Sequence, residues 1–327
     1  MMTTPDKTYP IHIKRGLIKG LKTLLDVPNE TVLITDTNIP SAVLDAVKAA
    51  WGANLMVVLE PGERSKTLAA YEDIVKQMLA AGLSRATTVI AVGGGVVGDL
   101  AGFVAATYQR GLPWINIPTS LLAMVDASVG GKTAVNLDQH KNMLGAFHHP
   151  EAVIIDPDVL DTLPERHMQN GYAEVIKAAL IHDRTLYTML QEDSGTLEAR
   201  ILRAIKVKQY YVEADPKDGH LRHMLNFGHT LGHAFEALYS PTYLHGECVA
   251  AGMRLMVRGT HLEAPVNTVL DQYGLTAMPP IDKKAMIAVL RADKKRRGDT
   301  LTVIKLKALG EGELIQMPFD TFSQILD

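Results

Sequence analysis

Between residues 30 and 155 the chain alternates short apolar runs with stretches of helical period. Thr31–Thr35 (TVLIT), Leu55–Leu59 (LMVVL), Thr87–Val92 (TTVIAV), Trp114–Ile117 and Ala152–Ile155 are rich in Val and Ile and read as buried strands. Helix-like stretches such as Ala69–Ala81 (AAYEDIVKQMLAA) lie between them. Alternation of this kind predicts a mostly parallel sheet flanked by helices. Beyond Leu160 the strands fade, and Glu165–Leu190, Leu197–Val212, Met224–Leu238 and Glu247–Met256 carry a helical pattern. Leu301–Lys307 (LTVIKLK) predicts a late strand or hairpin. The expected boundary falls near residue 160, within the Asp156–Pro164 segment and its two prolines. The chain thus reads as an α/β domain over 1–160 and a mainly α-helical domain over 161–327, with no internal repeat.

Composition narrows the function classes. At 327 residues, 47% of them hydrophobic, the chain is globular and long for one core. A net charge of −3 gives no general reason to expect nucleic acid or a membrane surface as a partner. No apolar run is long enough to span a bilayer, and the polar start MMTTPDKTYP lacks the build of a signal peptide. Cys248 is the only cysteine, so no intrachain disulfide can form. A cytoplasmic location is the expectation.

Ala91–Asp99 reads AVGGGVVGD, after a predicted strand and before the helix-like LAGFVAATY. Gly93, Gly95 and Gly98 satisfy G-x-G-x-x-G. Such glycines let backbone approach a pyrophosphate while helix N-terminal amides face the anion. The pattern alone is weak; its strand–turn–helix context strengthens it. No acidic residue follows at about 20 positions to hold a ribose, and Asp36 in TDTNIP is a possible substitute. The plain alternative is a tight turn needed only for packing.

Pro118–Pro150 mixes glycines with Asp126, Lys132, Lys141 and Asn142 in polar loops too apolar for a solvated charge run. Lysines in glycine-rich loops suit phosphate oxygens, an ammonium being a compact charge with three donors. Surface lysines at turns explain Lys141 easily and Lys132, within GGKT, less well.

Asn226–Glu247 carries NFGHTLGHAFE and then LHGE, which brings in His229, His233 and His245. His229 and His233 are four apart and would share one helix face. Neutral imidazole is a common ligand for divalent transition metals, and catalytic sites usually take three protein ligands and leave a position open. A helix with hydrogen-bonded core histidines is the competing reading.

Taken in order, GGGVVGDLAGFVAATYQRG, PTSLLAMVDASVGGKT, KNMLGAFHHP, TLPER, GYAEVIK, LNFGHTLGHAFE and LHGE resemble the 3-dehydroquinate synthase family of sugar-phosphate cyclases. The resemblance covers nearly the whole chain and is densest from residue 92 to 252. It implies a dehydroquinate synthase-like fold: an α/β N-terminal nucleotide-binding domain, a mainly helical domain for metal and substrate, and an active site between them. The implied reaction turns a seven-carbon 2-keto sugar-acid phosphate into 3-dehydroquinate and phosphate in the shikimate route. Transient oxidation by NAD creates a ketone beside the carbon that loses a proton, phosphate leaves, and the hydride returns. Ring opening and an intramolecular aldol step then close the carbocycle.

By that resemblance Glu174, His229 and His245 would bind Zn²⁺ or Co²⁺, and His233 becomes a polar site residue instead of a ligand. The implied NAD set is Asp36, Asn38, Glu63, Lys66, Gly94, Gly95, Val96, Asp99, Thr119, Ser120, Lys132, Lys141, Thr162 and Leu163. The implied substrate set is Asp126, Lys132, Asn142, Lys177, Lys208, Arg222, Asn226 and His233, with a lysine of Asp293-Lys294-Lys295. Arg110 of TYQRG would reach the substrate phosphate of a neighbouring subunit in a homodimer. The null for Arg110 is a surface arginine at a helix end, where it would also suit the dipole.

Some positions depart from the family pattern. Ser120 replaces a more usual threonine and keeps the hydroxyl. Asp218 stands where a glutamate is usual near the partner position of His233, one methylene shorter. The stretch from 255 to 292 is shorter than typical, with EAPVN where longer helices are expected. Three other readings compete. One is a cyclase for a substrate with phosphate but no carboxylate, such as a 2-deoxy-scyllo-inosose or valiolone synthase. Another is a metal-dependent polyol dehydrogenase, and the last a non-catalytic binding protein. The cations Lys208 and Arg222 favour a substrate with two anionic groups.

Overall fold

The computed structural model describes residues 1–4, 7–26, 29–138, 140–294 and 300–327, with only the backbone of Asp293 and Lys294. Lys295 therefore lies outside the described residues, as does the side chain of Lys294. The chain divides into two compact units, Met1–Pro164 and Glu165–Asp327. The division falls at the second proline of the 156–164 segment, past the expected residue 160.

In the first unit the main strands are β1 (Ile11–Ile13), β2 (Glu30–Asp36), β3 (Leu55–Leu59), β4 (Thr87–Gly93) and β5 (Trp114–Pro118). An antiparallel hairpin follows, β6 (Lys132–Leu137) and β7 (His140–Phe147), and then β8 (Ala152–Ile155). The six-stranded sheet has the order β1-β8-β5-β4-β2-β3, and every neighbouring pair is parallel. Every residue of β4 and β5 is buried, which is why these strands read as unbroken apolar runs without alternation. Three helices flank these strands: α1 (Ser41–Trp51), which buries Val47, Ala50 and Trp51, and α2 (Leu68–Ala80) and α3 (Gly95–Thr107), which share one core cluster. Ile74 and Met78, one turn apart on α2, are fully buried against β2 and β4. Each contributes about 1.5–3 kcal/mol by leaving water. Thr67 caps α2, its hydroxyl accepting the Ala70 N–H at 3.1 Å.

The hairpin occupies what the sequence presents as polar loops. In β6, Thr133, Ala134 and Val135 are all buried, while β7 is exposed along most of its length. Neither strand shows a period of two, so neither announces itself. The hairpin packs on α3 where Gly102 has no side chain: a Cβ there would lie 2.4 Å from Thr133 Cγ2 and 3.1 Å from the Trp114 ring.

The second unit holds α4 (Glu165–His182), α5 (Arg184–Gln191), α6 (Leu197–Ala214), α7 (His229–Tyr239), α8 (His245–Val257), α9 (Glu263–Gln272) and α10 (Lys283–Lys294). The hairpin β9 (Thr300–Ala308) and β10 (Glu311–Pro318) completes it. Its core joins Leu231 and Phe235 of α7, Cys248 and Leu255 of α8, Met286 of α10 and Phe322. Two predicted helices are corrected here. The run Glu165–Leu190 breaks at Asp183, which leaves helical geometry and caps a new helix by accepting the Leu186 N–H at 2.9 Å. The run Met224–Leu238 begins instead as a 3-10 turn, Leu221–Asn226. Gly228, at φ +77, then redirects the chain before α7 starts at His229.

Candidate metal centre and cofactor crevice

Three helices of the second unit place the metal candidates. Glu174 lies mid-way along α4, and His229 and His245 open α7 and α8. Side-chain-free contacts let these helices come close. A Cβ on Gly252 would sit 2.0 Å from the Gly228 carbonyl oxygen, and one on Gly246 would sit 2.1 Å from that of Asn170 on α4. Gly246 N–H also donates to Asn170 Oδ1 at 2.5 Å. Arg166 holds Glu247 in a fork, with Nε and Nη2 at 2.7 and 2.8 Å from its two oxygens. Glu247 in turn accepts the Leu244 N–H at 2.7 Å, fixing the start of α8.

The result is a compact cluster. His229 Nε2 lies 3.3 Å and His245 Nε2 3.5 Å from Glu174 Oε1. One ligand atom from each residue falls within 4.8 Å of the others. Glu174 Oε1 is buried yet makes no well-formed hydrogen bond. An orphaned carboxylate oxygen facing two imidazole nitrogens is what a divalent ion would satisfy, and the donor set suits Zn²⁺. The opposite ring nitrogens are engaged as metal-bound histidines require. His229 Nδ1 donates to the Phe227 carbonyl at 3.2 Å, and His245 Nδ1 faces Glu236 Oε2 at 3.4 Å. Both leave Nε2 directed at the cluster.

Charge in the cluster is strongly biased. Burial works to raise the Glu174 carboxyl, but adjacent Lys177, followed by His229, holds it well below the usual carboxylate range. Lys177 pairs with Glu174 one turn along α4, and both are buried. His233 does not join the Glu174 set. It shares a face with His229, their ring centroids 5.2 Å apart, and can form a second group with Glu236 and His245. Enclosure in its cleft, and then the neighbouring His229 and His245, keep it well below the ordinary imidazole range. A cleft of about 350 Å³ opens here, lined by Asn226, His229 and His233 and across from them by Thr302 and Gln316 of the β9–β10 hairpin.

Of the remaining substrate candidates in this unit, Lys208 on α6 and Arg222 are buried. Arg222 is held at both ends. Its backbone N–H donates to Asp215 Oδ2 at 3.1 Å and its Nη1 to the Pro216 carbonyl at 3.1 Å. Asp218 Oδ1 lies 4.0 Å from His223 Nε2.

The cofactor candidates gather at the carboxyl ends of the first unit's strands. The chain winds from β2 to β3 on one side and to β4, β5 and β8 on the other. The switch point, where such folds take ligands, therefore falls between the ends of β2 and β4. Asp36 ends β2, and Gly94–Val96 follow β4 with their first-turn amides open. Burial raises the Asp36 carboxyl, although the Asn38 N–H it accepts at 2.9 Å opposes this. Thr119 and Ser120 follow β5, and Thr119 N–H donates to the Gly93 carbonyl at 2.9 Å. Thr162 and Leu163 follow the turn after β8. Gly93 and Gly98 of the fingerprint serve packing: a Cβ on them would meet Val97 at 2.6 Å and Asn116 at 3.3 Å. A Cβ on Gly94 or Gly95 would make ordinary contacts, with Ser120 Oγ at 3.7 Å and Ala127 Cβ at 3.4 Å.

Lys66 joins candidates that are far apart in sequence. Its Nζ donates to Asp99 Oδ2 and to Asn142 Oδ1, each at 2.5 Å. Asp126 lies in a single π turn, Ala123–Ala127, and Lys132 and Lys141 are exposed on the hairpin. Arg110 is exposed just past α3, in a turn where Gln109 and Arg110 both have positive φ, 47° and 74°. Sequence reasoning missed Glu236, Asn136, the Arg166–Glu247 fork and the Thr302–Gln316 wall. Glu236, one turn beyond His233, was the one with a readable signal.

Solved structures place this architecture. A 2-deoxy-scyllo-inosose synthase complexed with carbaglucose-6-phosphate, NAD⁺ and Co²⁺ matches with a TM-score of 0.89 at 23% identity, over 99% of this chain and 98% of its own. The 2-epi-5-epi-valiolone synthase of Streptomyces hygroscopicus, with NAD⁺ and Zn²⁺ bound, matches at 0.88 and 26%, over 100% and 97%. The fold is that of the sugar-phosphate cyclases. At the level of sequence, models of the 3-dehydroquinate synthase N-terminal and C-terminal regions match residues 56–170 and 171–296. The 3-dehydroquinate synthase of Clostridium kluyveri is 39% identical over 330 residues, covering 93% of this chain and 91% of that protein. The chain belongs to the 3-dehydroquinate synthase family of phosphate-eliminating lyases, enzymes that act on a phosphorylated sugar-type substrate. Among the described residues no helix is long and apolar enough to cross a membrane.

Proposed function

We propose that this chain converts 3-deoxy-D-arabino-heptulosonate 7-phosphate to 3-dehydroquinate and phosphate, as a cytoplasmic homodimer with NAD and one Zn²⁺ or Co²⁺ per subunit. The observation that carries the reading is the orphaned Glu174 Oε1 facing His229 and His245. Those three residues would hold the metal. The open first turn of α3, with Asp36, Lys66, Asp99, Thr119 and Ser120 around it, would hold NAD. When bound, NAD⁺ supplies a transient oxidation beside the carbon that loses a proton, and the metal supplies a Lewis acid for the substrate's oxygens.

The chain's own side chains bind and orient. Lys208 and Arg222 are cations fixed in buried positions, suited to the two anionic groups of a phosphorylated keto acid. Lys177 places a further ammonium beside the metal carboxylate. His233, kept neutral, offers a ring nitrogen that can hydrogen-bond a substrate group in the cleft. In the first unit Asp126, Lys132 and Asn142 are the substrate candidates that the family resemblance implies, and Arg110 would serve the partner subunit.

Cyclases for substrates without a carboxylate share the fold at 23–26% identity, well below the 39% shared with a 3-dehydroquinate synthase. The test is to mix the protein with NAD⁺, Zn²⁺ and the heptulosonate phosphate and follow phosphate and NADH together. Many turnovers of phosphate on trace NAD⁺, without NADH accumulation, are expected. NADH formed one-to-one with product would mean a dehydrogenase, and turnover of glucose 6-phosphate or sedoheptulose 7-phosphate instead would mean a different cyclase.

A further inference from the structure

We propose that Asn136 is a positioning residue: it holds Asn142 against Lys66 and thereby fastens the β6–β7 hairpin to α3 at Asp99. Its functional consequence rests on the assignment of this unit to NAD and substrate. Asn136 sits at the irregular point of β6, where pairing with β7 shifts between Val135 and Leu137. Its backbone N–H donates to the Lys66 carbonyl at 2.9 Å. Its side chain works in two directions. Nδ2 donates to Glu63 Oε1 at 2.8 Å, and Oδ1 accepts the Asn142 N–H at 2.9 Å.

Asn142 has φ +55, a conformation that L residues other than glycine rarely keep without outside support. The hydrogen bond from its N–H to Asn136 is that support. In this conformation Asn142 Oδ1 receives Lys66 Nζ, and Lys66 also donates to Asp99 on α3. The lysine is almost fully buried, so it has little freedom to find other partners. Movement of Asn142 is therefore felt at Lys66 and Asp99. A primary amide is the side chain that can donate to a carboxylate and accept a backbone N–H at once. Aspartate would set a second carboxylate against Glu63, and alanine would leave both partners unmade.

The experiment compares wild type, Asn136→Ala, Asn136→Asp and the double variant Asn136→Asp/Glu63→Gln. Readouts are NAD⁺ titration, steady-state phosphate release, bound zinc, thermal midpoint and deuterium exchange of the 140–147 peptide. Asn136→Ala should raise the NAD⁺ Kd and the substrate KM by about tenfold, the scale of one lost hydrogen bond to a charged network. Exchange of the peptide should quicken and zinc content should stay the same. Asn136→Asp should behave alike, and in the double variant the 140–147 peptide should regain most of its slow exchange, because glutamine can donate to the new carboxylate; exchange is the readout for this variant because Glu63 itself belongs to the NAD set. Unchanged Kd and KM in Asn136→Ala would overturn the proposal. So would a loss in Asn136→Ala that only follows the thermal midpoint, or exchange of the 140–147 peptide in the double variant as fast as in Asn136→Asp. A wild type that binds no NAD⁺ would instead remove the assignment of the unit; peptide exchange would still decide whether Asn136 holds Asn142, and no change there would overturn it.

Discussion

The carboxylate of Glu236 stands 3.4 Å from His245 Nδ1, the ring nitrogen opposite the one that faces Glu174. Burial alone would lower this imidazole, but the carboxylates of Glu174 and Glu236 beside it raise it. The Glu236 oxygen can accept a proton held at Nδ1, which leaves Nε2 directed at Glu174. Outer partners of this kind typically tune metal affinity ten- to a hundredfold, and that is the expected loss, to about this order, for Glu236→Gln. Competition with a chelator of known affinity measures it. His245→Ala should lose the metal outright, and a Glu236→Gln protein that binds zinc like wild type would show that the carboxylate has no such role.

Close helix packing should be as necessary as the ligands. Gly252→Ala places a methyl group where the Gly228 carbonyl oxygen already stands, 2.0 Å away. Neither backbone can yield without separating α7 from α8. A loss of about 1–3 kcal/mol in stability is expected, as for overpacked cores, together with reduced zinc content. Gly20→Ala, where the nearest atom is Thr23 Oγ1 at 3.9 Å, should leave both nearly unchanged. Denaturant melts with parallel metal analysis would separate the two variants.

Acid should loosen the turn that carries Arg222 before it unfolds the helices. Asp215 accepts N–H groups from His220, Gly219 and Arg222 at 2.7, 2.9 and 3.1 Å. These bonds pull its carboxyl down to about 2. A group depressed on folding contributes stability that is fully present above its unfolded value, about 4. That contribution is lost as pH falls toward the folded value. Protection of the Gly219 and His220 amides, relative to their intrinsic exchange at each pH, should therefore fall between about pH 4 and 2. Asp215→Asn, which keeps one acceptor oxygen, should show faster exchange already at neutral pH and a flatter response below it.

Arg110 offers a separation of stability from activity. Gln109 and Arg110 both have positive φ, and Gly111 follows at φ +123. The strain is held by Tyr108, whose hydroxyl donates to the Leu83 carbonyl at 2.8 Å, and by the Leu112 N–H on the Ala105 carbonyl at 2.7 Å. Glycine tolerates such a conformation, so Arg110→Gly should melt no lower than wild type. If the guanidinium serves the partner's substrate, the same variant should lose turnover. Mixing Arg110→Gly with His245→Ala should restore up to roughly half the sites of each heterodimer, as two-fold symmetry implies. No recovery in proven heterodimers would reject a shared site.

The central strands were legible because they are buried on both faces, and burial of that kind writes a continuous run of Val and Ile into the chain. The β6–β7 hairpin was not legible. One strand is buried and the other exposed, so the period of two that would mark them is missing. The breaks at Asp183 and Gly228 were hidden for another reason. The residues on both sides keep helical patterning, and a single cap or a single left-handed glycine redirects the chain between them.

By itself the sequence determined the alternation of strands and helices, the glycine turn in its strand–turn–helix setting, and the ordered motifs that place the chain in its family. These are local properties, carried by the chemistry of neighbouring residues. The family resemblance already implied that Glu174, His229 and His245 belong together; the tertiary structure brings one ligand atom of each within 4.8 Å of the others. It alone showed that Glu236 backs His245, and that Asn136 joins Glu63 to Asn142. The physical reason is that hydrogen bonds and ligand spheres form between atoms within a few ångströms, and folding brings such atoms together from distant points on the chain. In the second unit the decisive contacts are made where glycines have no side chains to keep the helices apart.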